Sequence, residues 1–344
     1  MNATSYLSVK SCVYIRPWFL TPFLLIVAVV VLVPASVSAP PQNTQVKSGT
    51  LTQVAKTIAE RLGYPANSRL LIIHADDVGM MRSVNRASFE ALEKGWVTSA
   101  SILVVCPWFP EVTRFARAHP DADLGIHLAL NSEWTSFRWG PISHGTLVPS
   151  LLDADGYLPL LEESVVRQVS LADVEHELRA QLEKARSAGI RVTHLDSHMG
   201  TLFRTKELLE IYTRLGRSYQ LPVLLPREAF QSAPNIPFPN ESILIDRVLQ
   251  IQPGVPIEKW METYRQMLDP LPPGVYELVV HLGYDDEELR GATWDHPDWG
   301  AAWRQADFNL VRSPEFQRFL HDRGFILIRW KDLTRALPPE VAPR

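Results

Sequence analysis

The chain has 344 residues, enough for one large or two ordinary domains. Its apolar fraction of 46% and charged fraction of 21% are those of a globular protein, and a formal net charge of −4 offers no broad basic surface for nucleic acid. Its two cysteines, Cys12 and Cys106, exclude a disulfide framework.

At the N-terminus, Lys10 and Arg16 lead into the wholly apolar run Phe23 to Val33, followed by Pro34-Ala35-Ser36-Val37-Ser38-Ala39. A basic stretch, an apolar stretch and a small-residue stretch in that order read as an export signal over residues 1–39. An uncleaved anchor is the alternative, although the run is short of the roughly 20 residues that a span needs. Either way the globular part is expected outside the cytoplasm, periplasmic or extracellular. Any membrane contact is expected through this segment alone.

Residues 40–66 read as a linker followed by a helix, with Leu51, Val54, Ala55, Ile58, Ala59 and Leu62 at helical spacing and Gly63 closing it. A globular domain is expected over residues 67–336. Leu70 to Ile73 form a short apolar run that fits a strand buried on both faces. His74, Ala75, Asp76 and Asp77 follow, and Gly79 breaks the regular structure. A helix with Val84, Ala87, Ala91 and Leu92 on one face ends at Gly95. A second strand spans Val97 to Val105, a helix runs from Pro107 to Ala118 with Pro107 in its first turn, and a third strand covers Leu124 to Leu130.

From Asn131 to Ser150 the period is lost, which reads as a long functional loop. Ser170 is expected to cap a long helix closed by Gly189, and Ile190 to Leu195 form a strand running into "HLDSH". A helix over Leu208–Leu215 and a short strand over Pro222–Leu225 come next. The proline-rich region Pro234 to Pro273 contains two helical patterns. A strand over Val275–Leu282, a helix over Pro314–Asp322, a strand over Phe325–Ile328 and a short helix close the chain.

This βα alternation predicts an α/β fold with a mostly parallel sheet. Asp76 and Asp77, His127, His194, Asp196, His198 and His281 all fall at or near the C-terminal ends of separate predicted strands. Barrel enzymes gather their chemistry at that end, so an irregular (β/α) barrel is preferred to an open sheet. No G-x-G-x-x-G follows a strand, which argues against a dinucleotide site.

Two acids at the end of a buried strand are costly without a cation. A hydrolytic divalent-metal site needs about three protein ligands and a neighbouring base. The candidate ligands are one of the two adjacent aspartates, His127 and His198, with the other aspartate as general base. His281 would be the general acid. His194 and Asp196 would hold the ligand imidazoles in the right tautomer. Trp134, Trp139, Trp294 and Trp299 lie in loop-like stretches and could stack on sugar faces, or simply cover the barrel rim. Arg227 follows a short strand and could hold an oxyanion or form a surface salt bridge. Cys106 reads as a small core residue.

The segments "HADDVG", "VNRASFEALEKGWVTSASILV", "HPDADLGIHLAL" and "THLDSHMG" resemble the YdjC-like deacetylases, which include chitooligosaccharide deacetylases. The resemblance returns at "LVVHLG" and "SPEFQRFLHDRGFILIRWKDL". It implies a (β/α)-barrel-like fold, as in the polysaccharide deacetylase-like superfamily, with a divalent metal and removal of N-acetyl groups from sugars. It also implies Asp76 as base, Asp77, His127 and His198 as ligands, and His281 as acid. Relatives tend to continue "HLDSH" with further histidines, whereas Met199, Gly200 and Thr201 stand here, which bears on substrate. Zinc and magnesium both stay open as the metal. The expected activity is hydrolysis of an N-acetyl amide on an amino sugar or glycoconjugate. The alternatives are a phosphoesterase-like metal hydrolase and a non-catalytic glycan-binding protein.

Overall fold

The computed structural model describes residues 56–228 and 245–337, and the expectations for residues 1–39 lie outside them. Among the described residues no helix is long and apolar enough to cross a membrane.

Among the described residues, seven parallel strands make up the sheet. The first, β1, spans Arg69–Val78, and its residues from Leu70 onward are all buried. Burial of Leu70, Leu71, Ile72 and Ile73 on both faces contributes roughly 1.5–3 kcal/mol each. One edge of β1 pairs along its length with β6 (Gly274–Val280), from Arg69 opposite Gly274 to Ala75 opposite Val280. The other edge pairs with β7 (Phe325–Leu327) at Arg69–Leu71 and with β2 (Ser99–Ile102) from His74 onward. The sheet continues from β2 to β3 (Leu124–Leu128) and β4 (Val192–Ser197), and β5 (Arg247–Leu249) lies outside β6. Between β4 and β5 two isolated parallel bridges, Leu195–Val223 and Pro226–Ile245, take the place of a continuous ladder. The expected α/β fold with a parallel sheet is present, and among the described residues these two bridges do not close it into a continuous barrel.

Most elements fall where the periodicity points, and the departures have local causes. The helix expected from Pro107 begins at Phe109, with Pro110 rather than Pro107 in its first turn. Ser170 sits at the N-cap of Leu171–Ser187, but its side chain makes no capping bond. The strand expected at Pro222–Leu225 is reduced to a bridge at Val223. Among its described residues the proline-rich region holds β5, which its composition hid, and an α-helix at Trp260–Leu268, while residues 234–244 of the expected helical patterns lie outside the described residues. Helices at Glu162–Gln168, Glu287–Ala292 and Ala301–Val311 were not expected.

Candidate active site

The turn after β1 sets the position of both aspartates. Asp77 adopts a φ of 66°, left-handed backbone that is uncommon outside glycine, and Gly79 follows at φ 101°. A Cβ at Gly79 would lie 3.0 Å from the Leu103 carbonyl oxygen, so the turn needs a glycine twice over. Buried Asn85 locks it: its Oδ1 accepts from the Gly79 N–H at 2.7 Å, and its Nδ2 donates to the Trp108 carbonyl and to Glu111.

Asp77 Oδ1 then faces two imidazoles. His127 Nε2, at the end of β3, and His198 Nδ1, just past β4, each lie 3.5 Å from it. The far nitrogen of each ring is tied to a carboxylate: His127 Nδ1 to Asp196 Oδ1 at 2.7 Å, and His198 Nε2 to Glu133 Oε2 at 2.9 Å. With those nitrogens held as donors, both lone pairs point at Asp77 Oδ1, which is buried and has no hydrogen-bond partner. Three acceptors converging in a dry site repel one another unless positive charge enters. Protons meet that demand in the bare protein: burial opposes it, but Glu133 and Asp77 push His198 up to about 10, and Asp196 and Asp76 raise His127. Asp77, His127 and His198 could instead hold a metal ion. The other oxygen of Asp77 accepts from Arg304 Nη2 at 2.7 Å. Burial works to raise the Asp77 carboxyl, but this guanidinium and His198 hold it well below the usual carboxylate range.

Asp76 keeps 9% of its surface exposed beside this centre. Its Oδ2 lies 3.8 Å from His127 Nε2 and 4.0 Å from His281 Nε2. His281 follows β6, and its backbone N–H donates to the buried carboxylate of Asp307 at 2.9 Å. Asp76, Asp77, His127, Asp196, His198 and His281 are thus brought into one cluster.

Four expected residues fall elsewhere. His194 holds neither candidate ligand; its Nδ1 lies 2.9 Å from Thr193 Oγ1 and 3.5 Å from Asp123, and its ring stacks on Trp330. Alternation puts His194 on the same face of β4 as Asp196, but two residues further from the C-terminal end of the strand, where its ring packs on Trp330 and Gly125 instead of reaching the cluster. Arg227 pairs with Asp246 at 2.9 Å on a half-exposed surface, the salt-bridge alternative. Trp134 and Trp139 are buried and offer no open face to a sugar. Trp139 instead packs its ring 5.8 Å from that of His198, and Trp134 lies beneath the Arg304 guanidinium. Of the loop tryptophans, Trp294 stands 68% exposed, with its indole N–H bonded to Ser136. Cys106 is buried, as expected of a core residue.

Glu133, Arg304 and Asp307 were missed by the sequence reading. Glu133 lies in the aperiodic loop, where no pattern separates it from other polar residues. Arg304 and Asp307 sit on the unexpected helix Ala301–Val311, three residues apart and so on one face.

The YdjC-like protein family matches residues 70–322. A carbohydrate deacetylase of Thermus thermophilus is 33% identical over 290 residues, which is 81% of this chain and 99% of its own. One from Brevibacillus brevis is 29% identical over 272 residues, 76% of this chain and 99% of its own. A solved Enterococcus faecalis structure, described as a candidate cellobiose-phosphate cleavage protein, superposes with a TM-score of 0.64 at 25% identity, covering 77% of this chain and 99% of that one. The family match takes in β1 with both aspartates, both candidate ligand histidines and His281, and on this evidence the chain belongs to the YdjC-like family.

Proposed function

We propose that this chain is an exported, metal-dependent hydrolase that removes the N-acetyl group from an amino sugar or glycoconjugate. The observation that carries the reading is the unpartnered Asp77 Oδ1 facing two imidazoles that are each anchored from behind by a carboxylate. Such backing of ligand histidines is the usual arrangement around a hydrolytic metal. Asp77 Oδ1, His127 Nε2 and His198 Nδ1 would hold the ion. Two nitrogens and one oxygen suit zinc or another transition ion better than magnesium. A divalent cation held there supplies polarisation of the amide carbonyl and acidification of a water. The names of the relatives support an acetylated sugar as the substrate.

The remaining chemistry belongs to the side chains. Asp76 takes a proton as the water oxygen bonds to the amide carbon. The C–N bond then breaks, the sugar nitrogen gains a proton, and acetate leaves. Burial and the Arg304 charge push His281 down to about 4 against the pull of Asp77 and Asp76, so the ring starts neutral at pH 7. It becomes an acid only by taking up a proton during turnover. Its Nε2 lies 4.0 Å from Asp76 Oδ2, within reach of the proton that Asp76 has just accepted. A relay from Asp76 through His281 to the leaving nitrogen balances the reaction.

The test is acetate release from N-acetylglucosamine and its oligomers, before and after a chelator, then with zinc or magnesium restored. Release that the chelator abolishes and zinc restores is the expected result. Bound metal with no acetate release from any of these substrates would overturn the reading. Turnover of an aryl phosphate would then favour the phosphoesterase, and saccharide binding without turnover the glycan-binding protein. Export is supported by the order of residues 1–39, and N-terminal sequencing of the mature protein tests it.

A further inference from the structure

We propose that His74 is a positioning residue that couples the general base to the arm holding His127. The inference rests on the reading of Asp76 and the metal cluster given above. His74 lies on β1, wholly buried, two residues before Asp76. Its Nε2 stands 3.2 Å from Asp76 Oδ1 and 3.1 Å from Asp196 Oδ2. The other oxygen of Asp196 is the one that holds His127 Nδ1 at 2.7 Å. One imidazole therefore joins the two carboxylates that serve the two sides of the site, in the order Asp76, His74, Asp196, His127.

A third acid lies behind the ring, at ion-pair rather than hydrogen-bond distance. His74 Nδ1 faces Glu277 Oε1 at 3.6 Å, and that oxygen accepts from Trp330 Nε1 at 2.9 Å. The His194 ring stands edge-on to His74 at 5.1 Å and stacks on Trp330, closing the remaining side. Two carboxylates share Nε2 and a third acid stands at ion-pair distance from Nδ1, surroundings that favour a doubly protonated, charged ring. Burial opposes that charge, but Asp196 and Asp76 override it and hold the ring protonated. A ring so held fixes the Oδ1 of Asp76, leaving Oδ2 to face His127 and His281. Without His74, Asp76 is free to rotate and Asp196 loses one of its two anchors. Ser101, at 3.4 Å from Asp76 Oδ1, is too weak a substitute to hold the carboxylate alone.

The experiment compares His74→Gln, His74→Leu and Glu277→Gln with the wild type. Each is measured for melting temperature, kcat and KM for acetate release, and metal affinity by competition with a chromophoric chelator. His74→Leu is expected to lose 30- to 100-fold in kcat with KM within twofold, and about tenfold in metal affinity, the scale seen when partners behind metal ligands are removed. His74→Gln keeps one donor and is expected to recover part of both losses. Glu277→Gln leaves the ring in place but loosens it, with a several-fold fall in kcat. A folded His74→Leu with wild-type kcat and metal affinity would overturn the proposal. So would equal losses in His74→Gln and His74→Leu, which mean packing alone. If neither His74 variant folds, an unchanged kcat and metal affinity in Glu277→Gln overturns it. If the wild type releases no acetate, the functional reading fails, while the metal-affinity comparison still decides the role of His74.

Discussion

Two histidines four residues apart in "HLDSH" show what separates a candidate ligand from a structural imidazole. Both are buried, both sit near a carboxylate, and each lies among groups that could hold a metal. His198 presents its free nitrogen to an unpartnered carboxylate oxygen, and a third acceptor, His127 Nε2, faces the same oxygen. His194 also has an unpartnered nitrogen, Nε2, but the ring is pressed against the backbone of Gly125, where a Cβ would come within 2.3 Å. Nothing the size of an ion fits between them. Burial lowers His194, the nearby His74 adds to this, and the ring stays neutral, while its neighbour His74 is held as a cation. A site for a cation therefore needs acceptors that converge, and burial with a carboxylate near by is not enough.

Breaking each histidine in turn tests this most severely. His198→Ala is expected to lose bound metal and at least 1,000-fold in activity, with metal content read by elemental analysis. His194→Ala is expected to keep its metal and lose about 2–4 kcal/mol of stability, the cost of a cavity under Trp330. Metal loss in His194→Ala, or retention in His198→Ala, would reverse the assignment.

Two changes sharpen the contrast with smaller effects. Arg304→Met leaves the Asp77 carboxylate buried beside the two imidazoles without its guanidinium, which costs about 3–5 kcal/mol of stability in urea unfolding of the metal-free protein. Adding zinc should recover much of that loss, because the ion supplies the missing charge. Gly125→Ala drives a methyl into the His194 ring and should cost about 1–3 kcal/mol with metal binding unchanged.

The same contrast explains what could be read from the sequence. Asp76, Asp77, His127 and His198 were legible because polar residues at the end of a buried apolar strand break its pattern. His194 and His198 could not be told apart, because strand alternation gives both the same facing and they differ only in how far along β4 they lie, which runs on to Ser197. Glu277 was legible in principle, as a lone acid inside "VYELVV", and its role needed His74 and Trp330 in view. Arg304 and Asp307 were not legible. Their helix is buried at Ala301, Trp303, Arg304, Ala306, Asp307, Phe308, Leu310 and Val311, so it carries no polar stripe to give a helical period. For Trp134 and Trp139 the sequence left sugar stacking and rim covering open, and their burial fits the second, because a loop in sequence need not be a surface in space.

Asp307 extends the comparison to pH. It is a buried carboxylate like Asp77, but Arg304 bonds Asp77 directly, while Asp307 accepts from the His281 N–H and the Tyr264 hydroxyl and feels Arg304 without a direct bond. Burial therefore wins at Asp307 and pushes it up to about 7. The unfolded chain releases that proton near 4. Between pH 4 and 7 the native state holds a proton that the unfolded state has lost, so stability falls as pH rises, and the full cost is reached above pH 7. Asp307→Asn removes the titration while its amide oxygen still accepts from His281. Urea unfolding in chelator at pH 5 and pH 8 should give the variant a flatter dependence than the wild type, with a gain on the order of 1–2 kcal/mol at pH 8. Glu277, also near 7, leaves some slope in both proteins. Because every other group is common to the two, the difference isolates Asp307. Equal slopes would mean that the hydrogen bonds from His281 and Tyr264 compensate for burial after all.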